Sequence, residues 1–185
     1  MNKTEKRIVL NKMSALTQQK LNQVSRAGTM INLGFGEFIK SKTAYKTENG
    51  EYKIKEILTT KYAIHIDCGF RVTCGDKILL SKCDIFQPSS DLRSDFDEDN
   101  FEWDISGANR FDEFARMHFT ENELEFYVQE ITINKFGDLN IKMSNDFCVD
   151  VFVDASENEE CWRFFKPGNA TETHLVITGD GFYEE

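Results

Sequence analysis

The side chains of this chain able to move protons, attack a carbonyl or phosphoryl centre, or ligate a metal are three histidines, five cysteines and 32 carboxylates. The histidines are His65, His118 and His174. A metal site would want two of them three or four residues apart on a helix, or beside a carboxylate in a fixed motif. None has that spacing, and each sits in an apolar or alternating stretch, the setting of a ring lying on a strand or helix face. They stay candidates for a small hydrolase or nuclease only because site residues meet in space and not in sequence. Cys68, Cys74, Cys83, Cys148 and Cys161 are odd in number and irregularly spaced, with no C-x-x-C. They read as free, mostly buried thiols of a reducing cytosol, and no structural zinc is expected. Cys68 is three residues from His65, which on a strand puts the two on opposite faces and spoils a nucleophile–base pair. Asp67 and Asp84 could form an acid–base pair, but carboxylates are so common here that any such pair will be found. No Gly-rich phosphate loop ending in Lys-Ser/Thr and no G-x-S-x-G elbow is present. No catalytic residue, metal or cofactor is expected.

The carboxylates themselves are the more specific feature. Residues 91–104, "DLRSDFDEDNFEWD", hold Asp91, Asp95, Asp97, Glu98, Asp99, Glu102 and Asp104 against Arg93 alone. Phe96, Phe101 and Trp103 are threaded between them. A solvated spacer needs no aromatics, and a core tolerates no such charge. A contact surface uses both, with carboxylates for steering and aromatics as anchors. The competing reading is a solvated loop whose aromatics tuck back onto the sheet. A second acidic stretch, Glu157, Glu159 and Glu160, could widen the surface.

Charge is unevenly spread. Residues 1–62 hold 12 Lys+Arg and 5 Asp+Glu, and residues 63–185 hold 10 and 27, for a total of −10. So acidic a chain repels nucleic acid and anionic lipid and suits a basic protein partner. The 185 residues are one ordinary domain, long enough to bury a core without disulfides or metal. No apolar run approaches a membrane span, and "MNKTEKRIVLNKMSALTQQKL" lacks the apolar core of a secretory signal, so a cytoplasmic location is expected.

The elements that would carry these groups follow from periodicity. Ile8, Leu10, Met13, Leu16, Leu21 and Val24 predict a helix over residues 4–26, ended by Gly28, with 1–28 as a helical N-terminal segment. The period then becomes two. Ile31, Leu33 and Phe35 share a face, Asn49-Gly50 marks a hairpin, and "KYAIHIDCGFRVT" reads as one long strand. Residues 29–88 form the first β segment and 89–108 the acidic aromatic loop. In 109–185, Asn109 caps a short helix with Asp112 and Glu113 in its first turn, and a β meander follows. In "ECWRFF", Trp162 and Phe164 face one way and Arg163 the other, where Glu160 or Asp154 should pair with it. The expected fold is α+β: an N-terminal helix on a mainly antiparallel sheet of seven or eight strands. A weak internal duplication is suggested by "GDKILLSKCDIFQPSS" and "NDFCVDVFVDAS", each leading through acids to Glu and Trp.

Residues 137–165, "GDLNIKMSNDFCVDVFVDASENEECWRFF", resemble a pattern of small acidic single-domain bacterial proteins. Such families include proteins of unknown function and immunity proteins of polymorphic-toxin systems such as contact-dependent growth inhibition. The resemblance covers about a third of the chain and implies a shared fold more than a function. It implies an immunity protein that occludes the active site of a cognate, basic, nuclease-type toxin, an RNase or DNase domain, with no direct nucleic-acid or membrane contact. The alternatives are the histidine hydrolase or nuclease, and an acidic adaptor or regulatory module that mimics nucleic acid.

Overall fold

The computed structural model describes the chain except residues 96, 98, 99, 122, 123 and 169–172. Helix α1, Lys3–Met13, starts at a capping box: the Asn2 side chain accepts from the Thr4 and Glu5 amides, and the Glu5 carboxylate accepts from the Asn2 amide. Val9 and Met13 are buried, as is Leu16 in a following 3-10 turn. The helix expected to reach residue 26 ends thirteen residues sooner. Gln18 turns the chain at φ +64°, and the Gln18 and Leu21 amides donate to the carbonyls of Val128 and Phe126. Residues Leu21–Ala27 are strand β1 instead.

The remaining strands are β2 (Met30–Lys46), β3 (Tyr52–Ile66), β4 (Gly69–Cys74), β5 (Lys77–Ser81), β6 (Val128–Ile133), β7 (Leu139–Met143), β8 (Phe147–Phe152), β9 (Glu160–Phe165), β10 (Leu175–Thr178) and β11 (Phe182–Glu184), with α2 at Arg110–Ala115. They form two antiparallel sheets, β1-β2-β3-β9-β10-β11 and β5-β4-β8-β7-β6. The α+β class and the N-terminal helix stand. The single sheet of seven or eight strands becomes two sheets with eleven strands among the described residues.

Two local events account for the difference. The stretch read as one strand changes sheets at Asp67-Cys68, where both amides donate to the Cys161 carbonyl and the Gly69 amide donates to the Asp154 carboxylate. A bulge between Val128 and Glu130 lets Val128 and Ile133 both turn inward, although strict alternation puts them on opposite faces. The echoing segments become β5 and β8, the two neighbours of β4, but β5 ends in a 3-10 turn (Lys82–Phe86) and β8 in an open loop.

The sheets enclose one core, with Leu33, Phe35, Ile64 and Ile66 meeting Phe70, Val72, Val149 and Val151. Trp162 is fully buried, and its indole N–H donates to the Gly137 carbonyl at 2.9 Å, tying the first sheet to the β6–β7 turn. Gly137 has φ +98°, and a Cβ there would lie 2.9 Å from Ile177 Cγ2. Gly28 has φ +59° with open space around it. Gly137→Ala should therefore lower unfolding free energy by about 3 kcal/mol, from backbone strain plus overpacking. Gly28→Ala should cost about 1 kcal/mol from strain alone. Urea denaturation of both variants reads the contrast.

Candidate partner-binding site

The acidic loop is a closed excursion. Its ends meet where the Ser89 amide donates to the Ala108 carbonyl and the Arg110 amide to the Gln87 carbonyl, both at 2.8 Å. The first leg, Ser90–Asp95, is a 3-10 turn whose start is held by the Glu113 carboxylate, which accepts from the Ser90 amide and hydroxyl. Asn109 sits at the N-cap of α2 as expected: its Oδ1 accepts from the Asp112 amide, while its Nδ2 donates to the Trp103 carbonyl at 2.8 Å.

The main fastening is Arg26, on β1. Its side chain is only 5% exposed. Nε and Nη2 donate to the two Asp112 oxygens, each at 2.8 Å, a bidentate pair. Nη2 also reaches the carbonyls of Trp103 and Ile105, at 3.1 and 3.3 Å. One buried guanidinium thus fixes α2 and the far leg of the loop to the sheet.

The expected contact residues fall into three groups. Asp91, Asp97, Glu102, Asp104, Glu157 and Glu159 are exposed. Within this group Asp97 accepts from Asn100 Nδ2 at 2.6 Å, and Asp104 stands 3.6 Å from Arg26. A second group turns inward. Trp103 is half-buried against the core, its ring edge-on to Phe86 with centroids 5.0 Å apart. Glu160 is half-buried and paired with Arg163, one of the two partners expected for it; Asp154 instead caps β4. Phe101 is intermediate in burial. Asp95 closes the 3-10 turn, and Phe96, Glu98 and Asp99 lie outside the described residues.

Two hollows flank this loop. One, of about 390 Å³, opens between β1 and α2, with Asp91, Asp104, Asp112 and Glu113 facing Arg26 and Arg116. The other, of about 320 Å³, is a groove in the loop itself, floored by Leu92, Phe101, Ile105 and Ala108 and edged by Asp97 and Glu102. Leu92, Ile105 and Ala108 were not singled out by sequence. A lone aliphatic carries no signal until the loop closes and brings them beside Phe101.

The two acidic stretches share one end of the six-stranded sheet. Arg26, which holds residues 103–105, pairs across to Ile31, Ile31 to Ile66, and Ile66 to Trp162 near the start of β9, just after Glu157 and Glu159. Three strand spacings, about 14 Å, separate the backbones of Arg26 and Trp162.

The other chemistry is dispersed. His65 and His174 lie on either side of the Phe165 ring, at 4.6 and 4.5 Å, and His174 Nδ1 is 3.0 Å from Arg163 Nη1. His118 belongs to a π turn after α2 and packs on Phe114 at 4.2 Å. Burial lowers the pKa of all three, helped by the Arg163 cation for His65 and His174. Asp84 caps the Ser81 amide and pairs with Arg110, while Asp67 is exposed. All five thiols are free. Cys68 and Cys161 are buried, and burial pushes the Cys68 thiol upward. Cys83, expected inside, is exposed because its segment forms a surface 3-10 turn and not a strand. Among the described residues no group of three or more His, Cys, Asp or Glu is arranged to hold a metal, and no helix is long and apolar enough to cross a membrane. Comparison with family models, with curated proteins and with solved structures finds no match.

Arg26→Ala strands Asp112 in a largely buried setting and should cost about 3–5 kcal/mol, visible in urea unfolding. Arg26→Lys, which cannot bridge both oxygens, should recover only part. A pH effect follows from the histidines. Each binds its proton less readily folded than unfolded, so their contribution is complete above pH about 6.5 and falls as acid protonates the unfolded chain. Thermal melting should therefore drop between pH about 7 and 5, and a His65→Gln, His174→Gln double variant should flatten that slope. An unchanged slope would show that the two rings do not govern it.

Proposed function

We propose that this chain is a binding protein that docks a basic protein through the loop at 89–108, and has no reaction of its own. The observation that carries this is the groove of Leu92, Phe101, Ile105 and Ala108 with Asp97 and Glu102 on its edge. A lysine or arginine fits that pattern with its alkyl stem on the apolar floor and its cation at the carboxylates. Asp91 and Asp104 at the neighbouring hollow, and Glu157 and Glu159 farther along the same end, extend the acidic field. Screening confines attraction to about 8 Å at physiological salt, so clustering on one end matters more than total charge.

The most specific form of this reading is an immunity protein acting in the cytoplasm. Its partner is a cognate nuclease-type toxin domain, basic because it must hold phosphates. The acidic end occupies the cleft that would take the nucleic-acid backbone, and activity is lost by occlusion. Carboxylates on the rim set the association rate, and the apolar floor sets the lifetime of the complex. The role first given to Trp103 passes to Phe101 and Ile105.

Co-expression with the product of the gene immediately upstream, followed by pull-down, tests the reading. A basic, growth-inhibiting nuclease domain should co-purify and be silenced. Asp97→Lys with Glu102→Lys should slow association roughly tenfold or more at low salt while leaving the melting temperature nearly unchanged. Phe101→Ala with Ile105→Ala should act mainly on dissociation. The reading fails if the neighbouring product is harmless to cells, or if the groove variants neutralise it as well as the parent chain does.

A further inference from the structure

Strand β3 does not stop where the core stops. Tyr62, Ile64 and Ile66 are buried, and farther back along the strand Leu58, Ile54 and Tyr52, which share one face with Glu56 between the first two, are 65, 72 and 76% exposed. Across the ladder on β2, Phe38 and Ala44 share that face with Lys40, Lys42 and Lys46; Phe38 is 49% exposed. Among the described residues no third strand pairs with 38–46 or 52–60, so these nine residue pairs form a two-stranded arm. Its opposite face is covered at the base, where Ser41 lies against Gly168. Isolated exposed apolar residues are ordinary, but several of them on one face of a ribbon mark a covered surface.

The arm also carries charge of the other sign. Its strands bear Lys40, Lys42, Lys46, Lys53 and Lys55 against Glu56, with Glu48 and Glu51 in the tip. That is +2 on residues 38–60 and −12 on the rest of the chain. An apolar stripe edged by lysines is the chemical complement of an apolar groove edged by carboxylates.

We propose that a second copy of this chain covers the stripe, with the arm of each molecule seated in the acidic groove of the other. This rests on reading that groove as the docking surface, and it adds a regulation of the same site. The geometry permits a closed pair. Strand β2 begins at the acidic end, where Ala27 pairs with Met30, and ends at the arm tip, where Lys46 pairs with Tyr52. Arm and groove thus lie at opposite ends of one strand pair, and reciprocal seating sets two copies antiparallel about a twofold axis. The arm's nine pairs span about 30 Å, while the body segment from Ile31↔Ile66 to Phe35↔Tyr62 spans about 17 Å. The arm is long enough to cross its neighbour's body. Partner capture and self-association then compete for one groove: a basic partner opens the pair, and the idle protein keeps its stripe covered.

Sedimentation velocity of the full chain, over a concentration series at low and high salt, tests this. A monomer–dimer equilibrium that weakens with salt is expected. Ile54→Glu with Leu58→Glu should raise the dimer dissociation constant by about tenfold or more. Asp97→Lys with Glu102→Lys should do the same from the other side. Joining Lys40→Glu and Lys42→Glu to those groove changes should restore part of the association. Circular dichroism of each variant confirms that it folds. The proposal is overturned by a monomer at all concentrations, by a dimer indifferent to either set of changes, or by a monomer whose arm binds a duplex or single-stranded oligonucleotide in an Ile54- and Leu58-dependent way. The two readings fail separately: arm variants should leave capture of the toxin domain intact, and groove variants should weaken it whether or not the dimer exists.

Discussion

Arg26 is the residue on which the acidic end depends. Seven carboxylates packed into fourteen residues repel one another, and within the loop Trp103, packed on Phe86 and the core, works against that repulsion. The single guanidinium adds a bidentate pair to Asp112 and donors for successive carbonyls of the loop's return leg. With Arg26 5% and Asp112 15% exposed, the pair is shielded from salt, unlike the surface pairs Lys142–Glu130 or Arg116–Glu121. Desolvation makes such a pair of little net stabilising value against an apolar substitute, yet costly to break. Its contribution is therefore to position. It decides where the exposed carboxylates stand, and Asn109 fixes the same Trp103 carbonyl from the side of α2.

Much of the fold could be read from residue order because local rules and tertiary packing agreed. Ile31, Leu33 and Phe35 alternate and are buried, Asn49-Gly50 turns a hairpin with Gly50 at φ +83°, Asn109 caps its helix, and Arg163 finds Glu160. The failures have a common cause. Leu21 and Val24 continue a helical spacing by coincidence, while the backbone at Gln18 and Leu21 is claimed by residues 126–128, more than a hundred positions away. Likewise Ile64, Ile66, Cys68, Phe70 and Val72 alternate without a break although the chain changes sheets at Asp67. Both sheets face the same core, so inward residues keep their parity through the corner and leave no mark in the pattern.

The site was half visible for a similar reason. Charge density is additive along a chain and can be counted, so the acidic loop was found. Which aromatic points where is set by closure. Trp103 lands on Phe86, and Phe101 joins Leu92, Ile105 and Ala108, aliphatics too ordinary to draw notice. The arm was missed altogether. Its lysines, spread along β2 and β3, read as a diffuse positive balance of the first third, whereas the register shows that among the described residues neither strand pairs with a further strand beyond Phe38 and Thr60.

The molecule is polar in the electrostatic sense, and that follows from how the sheet is built. β2 and β3 are far longer than their neighbours β1 and β9, so one end of the ladder is buried in the body and, among the described residues, the other has no further strand beside it. The acidic loop lies at the body end. The free end has no core to satisfy, and a two-stranded ribbon is marginal by itself in water. Its edges carry lysines, the usual guard against open-ended strand pairing, but its stripe of Leu58, Ile54 and Tyr52 is left bare. A guarded edge with an unguarded face favours a partner that covers the face and closes the assembly, over one that extends the sheet without limit. On the docking we propose, the charge separation that would steer a basic protein to the acidic end would steer the arm of a like molecule there too.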